Sequence, residues 1–340
     1  NYSENFIVVD NEYNPLSPNS FGNFEISTVL IKTSFSKSDE NYSETFKNFQ
    51  DNRLIIAQRL AALNGDSSGT VDEFGYPIGY GKNNQAVLIP AFLSAYSGKN
   101  AENISLNAIT DNPLPNWSVN YSGLINIDFF KERFKKFSLG HAYRSSYTLN
   151  NFKSNLEYNP SNTQLTDDSG NYINEFLYTN INLVEQFNPL LKIDMELNNS
   201  LQIVMSLKKD RALSLSLDNN LLTESNGTDY SIGLGYRIKD LKFTNRVGGK
   251  RRISKGDLNI KTDLNFRDNI TIIRNLNIED NKVTAGQKMW SLKTSADYNL
   301  SKSFNAIFFY DHLFSKFAIS TAFPMTTIRA GMTLRYNFGE

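Results

Sequence analysis

The chain has no cysteine, which excludes a disulfide framework, thiolate metal ligands and a cysteine nucleophile. Histidine is nearly as scarce, with only His141 and His312. Neither has a second histidine at metal-ligand spacing, so both read as structural residues and no metal site is expected. The 35 basic and 35 acidic residues cancel, leaving no net field to draw nucleic acid. No apolar run approaches the roughly 18–20 residues of a membrane-spanning helix; the longest is VLIPAFL, residues 87–93. An initiator methionine, a basic leader and a signal-like apolar run are also missing. The chain therefore reads as a piece of something longer or as a processed product.

Aromatic residues are abundant. The chain holds 24 Phe and 17 Tyr, yet its mean hydropathy is negative. Alternation reconciles the two. In TTIRAGMTLRYNFGE, residues 326–340, Ile328, Ala330, Met332, Leu334, Tyr336 and Phe338 alternate with Arg329, Gly331, Thr333 and Arg335. Period two means a strand with one apolar and one polar side. The pattern recurs from residue 116 onward, for example in SLQIVMSLKKD and DYSIGLGYRIKD. About a dozen such strands are expected, or about fourteen with the one read over residues 22–37.

Short polar connections are predicted at 187–189, 198–200, 208–210 and 239–240, and longer ones at 159–170, 224–228 and 280–287. Short turns at one end and long loops at the other match an outer-membrane barrel. Eleven positions from Ile328 to Phe338 span about 36 Å, or roughly 25 Å along the membrane normal at a tilt of ~45°. Trp290, Tyr298, Tyr310, Tyr336 and Phe338 fall near strand ends, as interfacial girdles do. The fold expected is all-β: an antiparallel transmembrane β-barrel segment with a helical and loop insertion near the N-terminus. Polar side chains such as Arg329, Thr333 and Arg335 would face a wet lumen. Arg329, Gly331, Leu334 and Tyr336, followed by Phe338, fit a C-terminal assembly signal of the form polar-x-Gly-x-x-apolar-x-aromatic, which assembly machinery could pair with by strand addition.

Three regions are expected. Residues 1–40 hold the first strand. Residues 41–115 form an insertion, and residues 116–340 the contiguous barrel strands. In the insertion, Asn41 is a possible N-cap, and Phe46, Phe49, Ile56, Leu60 and Leu63 fall near one helical face. They nominate a lid or partner-docking helix. VLIPAFLSAYSG reads as a second helix broken at Pro90. An insertion this long is expected to be a lid, a plug or a lumenal element.

Little points to chemistry. Gly79-Tyr80-Gly81-Lys82 lacks P-loop spacing and reads as a turn. Lys131, Arg133, Lys135 and Lys136 read as a solvated hairpin tip. No catalytic residues and no cofactor are nominated.

Several stretches resemble the C-terminal part of the SprA family, the outer-membrane translocon of the Bacteroidota type IX secretion system. They include STVLIKTSFSKSDE, NRLIIAQRLA, PLPNWSVNYSGL, FKERFKKFSLGHAYRSSYTLNNFKSN and VEQFNPLLKIDMELNNSL. The resemblance extends over essentially the whole chain. It implies a non-enzymatic protein-export pore in the outer membrane, exposed at the cell surface and serving gliding motility. Implied partners are outer-membrane lipid, a PorV-type small barrel, a periplasmic plug protein and secreted cargo with C-terminal signals. The family's barrel has about 36 strands, so this chain would be its last portion. A TonB-dependent nutrient receptor, a lipopolysaccharide-inserting barrel and a soluble β-sandwich enzyme are the rival readings.

Overall fold

The structure, a computed structural model, describes every residue except 1, 4–5, 10–11, 16–19, 66–68, 111, 248–249, 279, 300–303, 320–322, 337 and 339–340; side chains are described outside 1–19 and 243–254. Three short strands, β1 (Tyr2–Ser3), β2 (Phe6–Val9) and β3 (Glu12–Pro15), precede β4 (Phe21–Ser27). A helical unit follows, with α1 (Glu44–Leu63) and α2 (Gln85–Ser97). Then come β5 (Trp117–Tyr121), the single-turn α3 (Asp128–Lys131), β6 (Phe134–Ser154), β7 (Phe176–Leu177) and β8 (Asn180–Leu197). The meander ends with β9 (Leu201–Ser216), β10 (Leu221–Val247), β11 (Lys250–Asn275), β12 (Asn281–Asn299), β13 (Phe304–Phe317) and β14 (Met325–Tyr336).

The fold is all-β, and every pairing between these strands is antiparallel. Twelve strands form one sheet in the order β1-β4-β6-β8-β9-β10-β11-β12-β13-β14, with β5 and β7 also paired to β6; β2 and β3 form a separate pair. Consecutive long strands are therefore neighbours, joined by hairpins. The turn predicted at 198–200 is present, with Ser200 at φ 68°.

From residue 116 onward the described strands are ten, β5–β14, where the sequence predicts about a dozen, and the long ones run further than expected. β9 runs unbroken through Lys208-Lys209-Asp210, and β10 runs through residues 224–228. At Lys239-Asp240 the ladder shifts register between Ile238 and Leu241, so the predicted turn is a bulge inside a 27-residue strand. The predicted turn at Phe187 is also a bulge, between Phe187 and Leu191. Pro189 sits within it, where a strand can spare an N–H. Residues 281–287, predicted as loop, begin β12. Polar residues mid-strand imitate turns because the apolar alternation stops there while the backbone ladder continues.

The first strand is shorter than predicted. β4 ends at Ser27 and β5 resumes along the same edge of β6, with Ser27 opposite Ser146 and Trp117 opposite Tyr143. Exit and return lie side by side: the Leu114 amide donates to the Ser27 carbonyl at 3.0 Å, and the Ser145 amide donates to Asn116 Oδ1 at 2.8 Å. The helical unit is thus an excursion from one interrupted strand position.

Within it, Ser43 rather than Asn41 caps α1, accepting from the Phe46 amide at 3.3 Å. Asn84 caps α2, accepting from the Ala86 amide at 2.8 Å. Helix α2 continues through Pro90 and is buried from Val87 to Tyr96. An all-round apolar helix belongs in a core, and its burial outweighs the one hydrogen bond that Pro90 forfeits. Gly98 ends α2 at φ 65°, a left-handed position that favours glycine.

Candidate functional site: two faces and a docked helical unit

Register assigns every long strand two faces. On one lie Leu201, Ile203, Met205 and Leu207 of β9, and Tyr230, Ile232, Leu234 and Tyr236 of β10. Leu264 and Phe266 of β11 continue this face, as do Trp290 and Leu292 of β12, Phe308 of β13, and Ile328, Met332 and Leu334 of β14. Leu207, Tyr230, Phe266, Trp290 and Phe314 stand opposite one another in a single row across five strands. Toward the other strand ends, Tyr236, Tyr298, Phe304 and Tyr336 form a second aromatic margin. The eight-residue step from Trp290 to Tyr298 is ~26 Å along the strand, or about 20 Å across a bilayer at ~40° tilt. Aliphatic side chains fill the interval. Ile328, Met332 and Leu334 are 58, 54 and 53% exposed, so no second layer among the described residues covers them. So large a contiguous apolar surface marks an interaction with something outside the chain.

The opposite face is mainly polar, with Val204 of β9 and Ile307, Phe309 and Leu313 of β13 as apolar exceptions. Asp263, Lys293, Asp311 and Arg329 lie in one register row of alternating sign. Arg329 Nη2 reaches Asp311 Oδ2 at 3.0 Å, and Arg267 Nε lies 3.3 Å from Asp229 Oδ1. Facing charges of opposite sign stabilise neighbouring strands.

The helical unit is docked on the apolar face, beyond the first aromatic row. Leu213 and Leu215 of β9 are in phase with Leu207, and Leu222 of β10 with Tyr230; all three of these leucines are in the buried cluster with α1 and α2. The unit therefore packs on the apolar-phase side chains of these strands and not on the polar ones. Two buried ion pairs mark the contact: Arg211–Glu185 and Arg274–Glu224, each at 3.0 Å. The segment leading into α1 crosses both. Ser34 Oγ donates to Glu185 Oε1 and Ser38 Oγ to Glu224 Oε1, each at 2.6 Å. Arg211 donates to the Thr33 carbonyl at 2.9 Å, and Arg274 to the Asp39 carbonyl at 2.7 Å. The far end is tied by Arg53, which donates to the Leu276 carbonyl at 3.2 Å; burial lowers its pKa. Burial also pushes the Tyr96 phenol above its ordinary 10.0.

The residues nominated on α1 serve this packing. Phe46, Phe49 and Ile56 are buried in the cluster and Leu60 is packed against it; Phe49 meets Phe92 of α2 edge-on at 5.6 Å. Leu63, placed with them by helical spacing, is 76% exposed. It is the last residue of α1, and the packed stripe ends at Leu60 and Ala61. The helix therefore has no free apolar stripe to present as a docking surface.

Of the nominated assembly residues, Arg329, Gly331, Leu334 and Tyr336 lie on β14 and Phe338 beyond its end; the one strand partner of β14 among the described residues is β13. Gly331 faces Phe309, and a Cβ there would come within 2.7 Å of the ring. Leu334 and Tyr336 lie on the apolar face, and Phe338 meets Tyr336 edge-on at 4.7 Å. Of the histidines, His141 Nδ1 lies 2.7 Å from the Leu190 carbonyl and His312 packs 4.6 Å from the Trp290 ring. The basic cluster at 131–136 is exposed, with Lys136 paired to Asp194 at 2.7 Å. Among the described residues, no three or more His, Asp or Glu are grouped to hold a metal ion.

Sequence reasoning missed the two buried ion pairs. Their signal was available: Glu185, Arg211, Glu224 and Arg274 are in phase with the apolar positions of their own strands. No protein-family model and no curated protein matches the chain.

Proposed function

We propose that the chain is a section of the wall of a large outer-membrane barrel that conducts folded protein to the cell surface. The observation that carries the wall is the contrast between its faces, one an exposed apolar band between aromatic margins, the other a set of neutralised charge rows. In a bilayer the first meets hydrocarbon and the second water. Cargo would slide along the polar face, where alternating charges offer no net attraction to hold it. The resemblance to the SprA family carries the step from wall to export, and with it a PorV-type barrel and a periplasmic plug as partners.

The connections support an orientation. At one end they span residues 198–200, 248–249 and 300–303 together with the longer 122–133; at the other, 155–175, 217–220, 276–280 and 318–324. Short turns face the periplasm in such barrels, so the opposite end and the helical unit face outward. The helical unit then rests outside the cylinder, above the outer leaflet, and leaves the lumen open. The outer strands β14 and, beyond the two residues covered by β1, β4–β5 would pair with strands supplied elsewhere, since a wall with unpaired edges is not stable in lipid.

Because the chain lacks cysteine, single substitutions test the reading directly. Asn265→Cys and Ser295→Cys should react with a membrane-impermeant maleimide and become shielded when a cargo is stalled in the pore. Leu264→Cys and Leu292→Cys should stay unreactive in membranes. Equal labelling of both sets would refute the wall, whereas labelling unaffected by stalled cargo would refute export alone.

A further inference from the structure

One margin of the apolar band carries a row of charge. Register sets Lys209, Thr228, Asp268, Lys288 and Lys316 opposite one another across β9 to β13. Each charged member lies two positions from the aromatic row and so shares its face: Lys209 with Leu207, Asp268 with Phe266, Lys288 with Trp290 and Lys316 with Phe314. Asp268 Oδ2 is 3.1 Å from Lys288 Nζ. Lys316 is differently placed. Residues 312–339 include no acidic residue, and the residue that Lys316 faces across the ladder is Lys288. Both lysines are exposed. Like charges directly opposite destabilise a strand pair. The polar face avoids this, since Asp263, Lys293, Asp311 and Arg329 alternate in sign.

The height of this row says what could relieve the repulsion. In the orientation given above, on which this inference rests, it lies on the outward side of the aromatic row. Two residues measure ~7 Å along a strand, or about 5 Å along the membrane normal at ~40° tilt. That places the lysines in the headgroup layer, which is about 5–8 Å deep. Opposite residues of a ladder lie about 5 Å apart at Cα, so two ammonium groups can flank one phosphate. Beneath them the Trp290 and Phe314 rings stack with centroids 6.2 Å apart, an apolar floor continuous with the band. We propose that Lys288 and Lys316 clamp the phosphate of an anionic lipid of the outer leaflet, whose acyl chains run down over Trp290 and Phe314. Asp268 holds Lys288 in place through its ion pair, and Lys316 supplies the uncompensated charge. Lys209, three strands from Lys288, lies 4.5 Å over the Phe35 ring and stands outside the clamp.

The test uses the whole chain with Trp117→Phe, which leaves Trp290 as the sole tryptophan, in vesicles of phosphatidylcholine. A small fraction of the lipid carries bromine on its acyl chains and is either phosphatidic acid or phosphatidylcholine. Brominated phosphatidic acid should quench Trp290 as though enriched about fivefold beside the ring, the effect of one uncompensated lysine on an anionic lipid. Lys316→Gln leaves the Lys288–Asp268 pair intact. It should remove that preference without changing the quenching by brominated phosphatidylcholine, whereas Lys209→Gln, at the same height, should keep it. Equal quenching by both lipids in the parent would overturn the clamp. So would a preference that survives Lys316→Gln, or one that falls as far with Lys209→Gln. Displacement of the brominated phosphatidic acid by millimolar inorganic phosphate would assign the site to a free ion and overturn lipid as its occupant. Quenching by neither brominated lipid is a separate failure, which would refute the lipid-facing band and the clamp with it.

Discussion

The same face of the same strands lives in two environments. On β10, Leu222 is fully buried under the helical unit, while Leu234, twelve residues along and in phase, is 42% exposed in the band. Alternation alone cannot tell these apart, since it reports only that one side avoids water. The setting of charged residues can. Glu185, Arg211, Glu224 and Arg274 share the apolar phase and are buried where the helical unit covers the sheet, held by serine hydroxyls and backbone carbonyls. Asp268 and Lys288, in the same phase, instead pair in the open with side chains 37% and 66% exposed.

Breaking one ion pair should sharpen the contrast most. Arg274→Leu leaves Glu224 buried without its partner and should cost roughly 3–5 kcal/mol. Protease sensitivity of the 28–116 segment should rise while strands β8–β14 stay folded; a unit as resistant as the parent's would contradict the docking described.

Matched truncations come next. Leu222→Ala should destabilise by about 2–5 kcal/mol, since a cavity is left in packed protein. If the band meets lipid as proposed, Leu234→Ala should cost less than half as much, because lipid chains would refill the space and are as apolar as leucine. Denaturant unfolding in lipid vesicles measures both, and equal losses would remove the distinction between the regions.

Inserting charge probes the band itself. Leu264→Arg should cost about 2–4 kcal/mol near the midplane, visible as loss of heat-modifiable mobility, while Ser295→Arg on the polar face should fold normally. Similar behaviour of the two variants would show that the faces are misassigned.

The smallest effect is alkaline. Tyr96 has its pKa raised by burial from 10.0, so near neutral pH it is protonated in folded and unfolded states alike. Above about pH 10 the unfolded chain releases this proton and the folded one keeps it, and stability falls as pH rises toward the folded value. The helical unit of the parent should loosen relative to Tyr96→Phe over that range, as monitored by near-ultraviolet circular dichroism. A parent-to-variant difference that is constant with pH would discount the effect.

How far the sequence could be read follows from which signals are local. Alternation from Ile328 to Tyr336, the α1 stripe at Phe46, Phe49 and Ile56, and the turn at 198–200 are local patterns and were legible. The continuity of β9 through Lys209 and of β10 through Thr228 was not. Those polar positions lie where strands leave the band, and their backbone is held by neighbours far along the chain. The side on which the helical unit docks was hidden for the same reason: it depends on register accumulated across several strands. Leu63 shows the limit even within one helix, since spacing cannot say where the partner surface ends.

The central claim is that the apolar face meets hydrocarbon. The chain has two tryptophans, Trp117 and Trp290. With Trp117→Phe, Trp290 is the sole reporter; with both replaced by Phe and Asn265→Trp added, the reporter moves to the polar face. In vesicles of lipids brominated on their acyl chains, Trp290 fluorescence should be strongly quenched and that of the Asn265→Trp variant spared, with aqueous iodide giving the reverse order. Iodide quenching of Trp290 with no response to brominated chains would contradict the account.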